Sequence, residues 1–303
     1  MTVPTTDPST TATCGSLRVD GATLHYEVRG RGPLLLLIPG GTGGAAAFDG
    51  IVDDLAEEYT VVTYDPRGLA RSPLDDPDAA QHVAEHADDA LRLLELLSPG
   101  EPARAAQVFG SSSGAIVALH LLAAHPDRVA RVVAHEPPVV EVLPDAADHR
   151  ALIARVRATL RTEGLMPAMT VFAAGLRGDG DSVSPRPQDE DDEAAAPAQD
   201  DAPTLPPGAA ARAERTKAGL PYFVGRIVPA FMSYAPDLRL LEKRSDRLVL
   251  AGGEDSRGEL PHRSVAFLAE RLGAELRHFP GGHVGLTTHP AGFGEALRGA
   301  LRR

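Results

Sequence analysis

Hydrophobic and polar positions alternate along this chain with two periods. In LRVDGATLHYEVRGRG (17–32) two short alternating runs flank Asp20-Gly21, a strong turn dipeptide, so a β-hairpin is predicted. LLLLI (34–38) is unbroken apolar sequence, the pattern of a strand buried on both faces. Glycines and a helix follow, then TVVTY (60–64) as the next buried strand and a helix over about 78–97. AAQVF (105–109), a helix over 114–124 and VARVVAH (129–135) repeat the rhythm. Strand–helix alternation of this kind predicts an α/β fold with a mostly parallel, doubly wound sheet.

The rhythm stops near Val140. Up to about Tyr234 the pattern gives helical pieces and no strand. Within that region, nine acids stand against one base, Arg186, between Asp179 and Asp201, with much proline and alanine. Such composition cannot bury enough apolar surface to order itself, so a flexible acidic loop is expected near 179–208. RLVLAGG (247–253), a helix over 261–272, AELRHFP (274–280) and a final helix resume the alternation. The expected organisation is an α/β core at 15–140 and 240–303, a helical cap insertion at 141–239, and a disordered tail at 1–14. That tail has neither a basic start nor an apolar centre, so it does not read as a signal peptide.

Composition narrows the function classes. The 303 residues fit one large domain with an insertion. A formal net charge of −12 disfavours nucleic acid and anionic membranes as partners. The only cysteine is Cys14, so no intrachain disulfide and no thiolate metal site can form. No apolar run is long enough to span a bilayer, and a cytoplasmic location is expected. Tryptophan is absent, so any pocket is lined mainly by aliphatic side chains with a few Phe, Tyr and Met.

The candidate chemistry centres on Gly110-Ser111-Ser112-Ser113-Gly114, a G-x-S-x-G sequence between a buried strand and a helix. A nucleophilic serine in that setting sits on a sharp turn, with strand and helix so close that positions −2 and +2 must be small. Only Ser112 has glycine at both offsets; Ser111 has Phe109 at −2 and Ser113 has Ala115 at +2. The candidate base is His283 in PGGHVG, after the last predicted strand, where it can reach the same sheet edge. A tetrahedral intermediate needs two backbone donors; Gly41 in IPGGTGG and Ser113 are the candidates for this oxyanion hole. On this reading the Ser113 side chain is replaceable with little loss.

Two carboxylates compete to orient the imidazole. Glu136, in VVAHEPP, ends a buried strand and has no easy alternative role, so it is preferred. Asp255, in LVLAGGED, is the alternative acid, and Glu254 comes third. Two rival signals are weaker. Gly41-x-Gly43-x-x-Ala46 with Asp65 imitates a dinucleotide-binding fingerprint. His82-Val83-Ala84-Glu85-His86 fits H-x-x-E-H, a zinc-peptidase pattern, without an evident third ligand.

Together the glycine loop, DPRGLARS, GSSSG, the acid and GGHVG resemble the α/β-hydrolase fold family, from about Leu17 to the C-terminus. DPRGLARS is similar to that family's turn after the fourth strand, with Ala70 where a glycine is usual. Within the family, FGSSSGA and AHEPP look like the zearalenone lactone hydrolases. That resemblance implies Ser112 as nucleophile, His283 as base, Glu136 as acid, and Gly41 with Ser113 as the oxyanion hole. The chain departs from that branch in having no tryptophan and a long acidic stretch in the cap. The expected activity is serine hydrolysis of a carboxylic ester, a lactone first of all. The alternatives are a generic carboxylesterase, an acyl-transfer or cyclisation enzyme on the same fold and, more distantly, an NAD(P)-binding protein. The expected partner is a small-molecule ester or lactone, with no cofactor, metal, nucleic acid or membrane; a homodimer is left open.

Overall fold

A computed structural model describes residues 12–98, 105–178 and 207–302. Most of the 1–14 tail and of the acidic loop near 179–208 lies outside the described residues. Strand β1 (Thr13–Val19) starts within the stretch expected as tail, and pairs antiparallel with β2 (Ala22–Arg29) around Asp20-Gly21. Then come β3 (Leu34–Ile38), α1 (Val52–Ala56), β4 (Thr60–Tyr64), α2 (Val83–Leu97), β5 (Ala106–Ser111), α3 (Ser113–Ala124) and β6 (Val129–His135). Helices α4 (Ala146–Thr162), α5 (Leu165–Arg177), α6 (Pro207–Tyr222), α7 (Val228–Met232) and α8 (Leu238–Glu242) follow, with a π-helical turn, Phe223–Ile227, joining α6 to α7. The chain closes with β7 (Leu248–Gly253), α9 (Leu260–Leu272), β8 (Glu275–Phe279), α10 (Gly285–Thr288) and α11 (Pro290–Leu301).

The eight strands form one sheet in the order β1-β2-β4-β3-β5-β6-β7-β8, parallel from β4 through β8. The order doubles back at β3, so helices cover both faces. Side chains on β3 divide by period two. Leu36 and Ile38 pack on the face of α2, α3 and α9, whereas Leu35 and Leu37 pack against α1 and α11. Both faces being buried explains why the run is apolar throughout. Between β6 and β7, helices α4, α5 and α7 gather around Leu152, Val156, Phe172, Val228 and Met232, a third apolar cluster. Among the described residues no helix is long and apolar enough to cross a membrane.

Helix α2 begins at Val83, not near 78. The preceding residues are held outside the helix: Arg226 bonds both the carbonyl and the carboxylate of Asp78, and the Gln81 amide donates to the Ala79 carbonyl.

The turn after β4 is built on charge. Asp65 is buried and accepts from the Ala45 and Arg71 N–H groups and from the Arg71 guanidinium. Arg67 forms a two-pronged pair with buried Asp89, at 2.6 and 2.7 Å. Ala70, at the position where a glycine is usual, has φ +47°.

The β5–α3 junction leaves no room for a side chain at either glycine. A Cβ on Gly110 would lie 2.4 Å from the Gly114 carbonyl oxygen, and one on Gly114 2.4 Å from that of Ile38. Backbone cannot yield to such contacts cheaply. Gly110→Ala and Gly114→Ala should each cost about 2 kcal/mol or more of stability. Gly225→Ala, whose Cβ would meet nothing nearer than 3.5 Å, should not destabilise. Urea unfolding of the three variants checks this.

Candidate active site

Ser112 links β5 to α3 with φ +52° and ψ −120°, a region that non-glycine residues enter only when their surroundings impose it. Its N–H is fixed to the His135 carbonyl at 2.8 Å. Glu136 has φ +49°, and its N–H donates to the Ala251 carbonyl at 2.9 Å. Both turns stand at the carboxyl edge of the sheet, on the adjacent strands β5 and β6. His283 reaches them from the segment between β8 and α10.

These three side chains form a hydrogen-bonded series. His283 Nε2 lies 3.1 Å from Ser112 Oγ, and His283 Nδ1 lies 2.7 Å from Glu136 Oε2. An ionised carboxylate only accepts, so Nδ1 carries the imidazole proton and Nε2 is left to accept from the serine hydroxyl. Glu136 is fully buried. Burial pushes its carboxyl up, but hydrogen bonds from His283 and Ser256 and the neighbouring imidazoles outweigh that and hold it down at about 2. Its second oxygen, Oε1, takes the Gly253 N–H at 2.8 Å and the Ser256 hydroxyl at 2.5 Å.

Asp255, the alternative acid, is exposed on the loop after β7, as is Glu254. Its neighbour Ser256 is the one that turns inward, 1% exposed, onto Glu136. Sequence reasoning missed Ser256, whose only signal was a small hydroxyl beside two acids. It also missed His135, fully buried with neither ring nitrogen bonded among the described residues. The His135 ring lies face-on to His283, with centroids 6.4 Å apart, and packs edge-on against Phe293. Burial lowers it to about 4, so it is neutral at pH 7.

The two oxyanion candidates meet each other. Gly41, at φ +61°, directs its N–H to Ser113 Oγ at 3.0 Å, so the Ser113 side chain is engaged in the resting state. Ser113 opens α3, where the first N–H groups have no partner within the helix and carry its positive end. Gly40 is required for a different reason: a Cβ there would strike the Ser111 carbonyl oxygen at 2.4 Å.

The rival motifs have other tasks. Asp65 is occupied by Ala45 and Arg71, and a Cβ on Gly44 would lie 2.2 Å from its carboxylate. The glycine loop is therefore packed against Asp65, which has no oxygen free for a ribose. His86 is buried and bonded to Gln81, Glu85 lies 3.6 Å from Arg67, and His82 is exposed. The three-ligand grouping among the described residues is elsewhere, at Cys14, His25 and Glu27, where Arg29 and Arg71 already hold the Glu27 carboxylate.

A cavity of about 710 Å³ opens over Ser112 and His283, lined also by the glycine loop and by Phe172, Phe223, Val228 and Met232.

A model of the family described as "alpha/beta hydrolase fold" matches residues 33–161. An uncharacterized hydrolase of Bacillus subtilis, YraK, is 31% identical over 95% of this chain and 96% of its own. This chain belongs to the α/β-hydrolase family. It is a hydrolase by that kinship, and its eight-stranded sheet is the family's. Zearalenone hydrolase of Bionectria ochroleuca is 34% identical over 125 residues, 39% of this chain and 45% of that protein. The crystal structure of a hydrolase from Pseudomonas aeruginosa superposes with a TM-score of 0.65 at 25% identity, covering 96% of this chain and 98% of that one.

Buried neutral histidines should make this hydrolase acid-sensitive. His135 is held near 4 and His86 near 3, both by burial, whereas unfolded histidine titrates at 6.5. As pH falls from 6.5 the unfolded state binds protons that the folded state refuses, so stability falls. Each histidine contributes up to about 1.4 kcal/mol per pH unit in that window. Glu136 adds a further loss as pH drops from its unfolded value of 4.5 toward 2. Denaturant melts at pH 7, 6 and 5 should show the decline, and His135→Phe should flatten it. An unchanged slope in that variant contradicts the buried neutral assignment.

Proposed function

We propose that this hydrolase cleaves carboxylic esters, lactones among them, through an acyl-enzyme on Ser112. The observation that carries the reading is the unbroken hydrogen-bonded series Ser112–His283–Glu136 beneath the cavity. Supporting it is the partial likeness to a zearalenone hydrolase.

His283 Nε2 takes the Ser112 proton as Oγ attacks the carbonyl carbon. Glu136 holds the imidazole in the required tautomer and stabilises the imidazolium that forms. The carbonyl oxygen becomes an oxyanion, which receives the N–H groups of Ser113 and Gly41; for Gly41 it displaces the Ser113 hydroxyl. His283 then gives its proton to the departing alkoxide, which stays tethered when the substrate is a lactone. Water, deprotonated by the same imidazole, attacks the acyl carbon, and collapse of the second intermediate returns the proton to Ser112. Every proton moves between Ser112, His283, water and substrate, so the sequence closes without another reactant. Helices α4–α7 act as the cap of this cavity.

Ser112→Ala should lower kcat on any ester the enzyme cleaves by about 10⁴ or more. Full activity in that variant would overturn the proposal. Glu136→Gln, which leaves the imidazole without its anionic partner, should cost about 10⁴ in kcat. Asp255→Asn should change kcat less than twofold. The reverse result would move the acid to Asp255.

A further inference from the structure

Apart from His283, the charged side chains on the cavity wall are Asp65, Arg71 and Arg215. The first two neutralise each other. Arg71 gives Nε to Asp65 at 2.6 Å and a terminal nitrogen to Glu27 at 3.0 Å, and Asp65 is buried. Arg215 is exposed and has no hydrogen-bond or ion-pair partner among the described residues, so among them it is the unpaired charge on the wall of an otherwise largely apolar chamber.

Its placement follows from how α6 docks. Arg215, Gly219, Tyr222 and Arg226 recur at i, i+4, i+7 and i+11, one face of α6 continued into the π-turn. Three of the four are pinned to the core. A Cβ on Gly219 would sit 3.2 Å from Leu69 and 3.5 Å from Thr42 of the glycine loop. The Tyr222 ring covers Gly68, and its hydroxyl donates to the Arg67 carbonyl at 3.2 Å. Arg226 holds Asp78 at 2.7 Å. The fourth, Arg215, is one helical turn farther along the same face, where it is exposed and lines the cavity.

We propose that Arg215 is a substrate-binding residue, and that this hydrolase acts on esters or lactones bearing a carboxylate remote from the scissile bond. A guanidinium presents two parallel N–H groups that match a carboxylate, and because Arg215 is exposed this pairing is open to screening by salt. A neutral substrate of the same length would leave Arg215 unpaired and gain nothing from it. The inference rests on Ser112 being the nucleophile.

Two esters of equal chain length separate the effects: mono-4-nitrophenyl adipate, which carries the carboxylate, and 4-nitrophenyl hexanoate, which does not. The wild type should show kcat/KM about tenfold higher for the adipate. Arg215→Gln should abolish that preference by raising KM for the adipate about tenfold, with kcat and the hexanoate unaffected; Arg215→Lys should restore part of it. Added salt should raise KM for the adipate alone. No preference in the wild type, or equal loss on both esters in Arg215→Gln, overturns the inference. Ser112→Ala in the same assay tests the underlying reading separately: its full activity would sink the nucleophile and the inference with it, whereas a carboxylate preference that survives Arg215→Gln sinks the inference alone. Calorimetry gives a readout without turnover. Adipate should bind the Ser112→Ala protein and not the Ser112→Ala/Arg215→Gln protein, and equal binding to both overturns the proposal.

Discussion

A fully buried carboxylate must be neutralised or the fold bears several kcal/mol of desolvation. Glu136 sets that condition here, and much of the carboxyl edge of the sheet is arranged to meet it. Four elements converge on it: β6 carries it, the end of β7 supplies the Gly253 N–H, the following loop the Ser256 hydroxyl, and the segment after β8 His283. Removing the charge would leave the imidazole without an anion and two donors without their best acceptor. The arrangement that satisfies Glu136 is the same one that leaves His283 Nε2 facing Ser112.

Backbone geometry makes this convergence possible. Ser112 and Glu136 stand on neighbouring strands, both with positive φ, and each is tied to the next strand by its own N–H. The Ser112 N–H to the His135 carbonyl and the Glu136 N–H to the Ala251 carbonyl extend the ladder just past where pairing of regular strand ends. The turns are thus locked by sheet hydrogen bonds, while close packing at Gly110, Gly114 and Gly40 excludes side chains that would open them. Strain of this kind persists only where the surroundings over-determine it.

The sheet and the serine turn were legible because their signals are local. Buried parallel strands need continuous apolar runs, and a tight strand–helix turn needs glycine at fixed offsets. LLLLI and GSSSG each carry their reason within a few residues. The ordering of Glu136 over Asp255 rested on a local argument too, the lack of any other use for an acid beside two prolines. What local sequence could not show was that Ser256, not Asp255, turns inward, because that depends on how the loop after β7 passes the end of β6. The start of α2 was misplaced because Arg226, far along the chain, holds Asp78 outside the helix. Arg215 was illegible for the same reason: its position depends on Gly219 and Tyr222 meeting loops roughly 150 residues earlier, and no pattern within α6 announces where that helix will dock.

The central claim is that Ser112, alone of three adjacent serines, is the activated nucleophile and that Glu136 acts through His283. Labelling with a fluorophosphonate and locating the adduct by peptide mass spectrometry tests it most directly. The account predicts one adduct per chain, on Ser112, formed far more slowly in Glu136→Gln and at the normal rate in Asp255→Asn. An adduct on Ser111 or Ser113, or labelling of Ser112 that is indifferent to Glu136 and lost in Asp255→Asn, would contradict it.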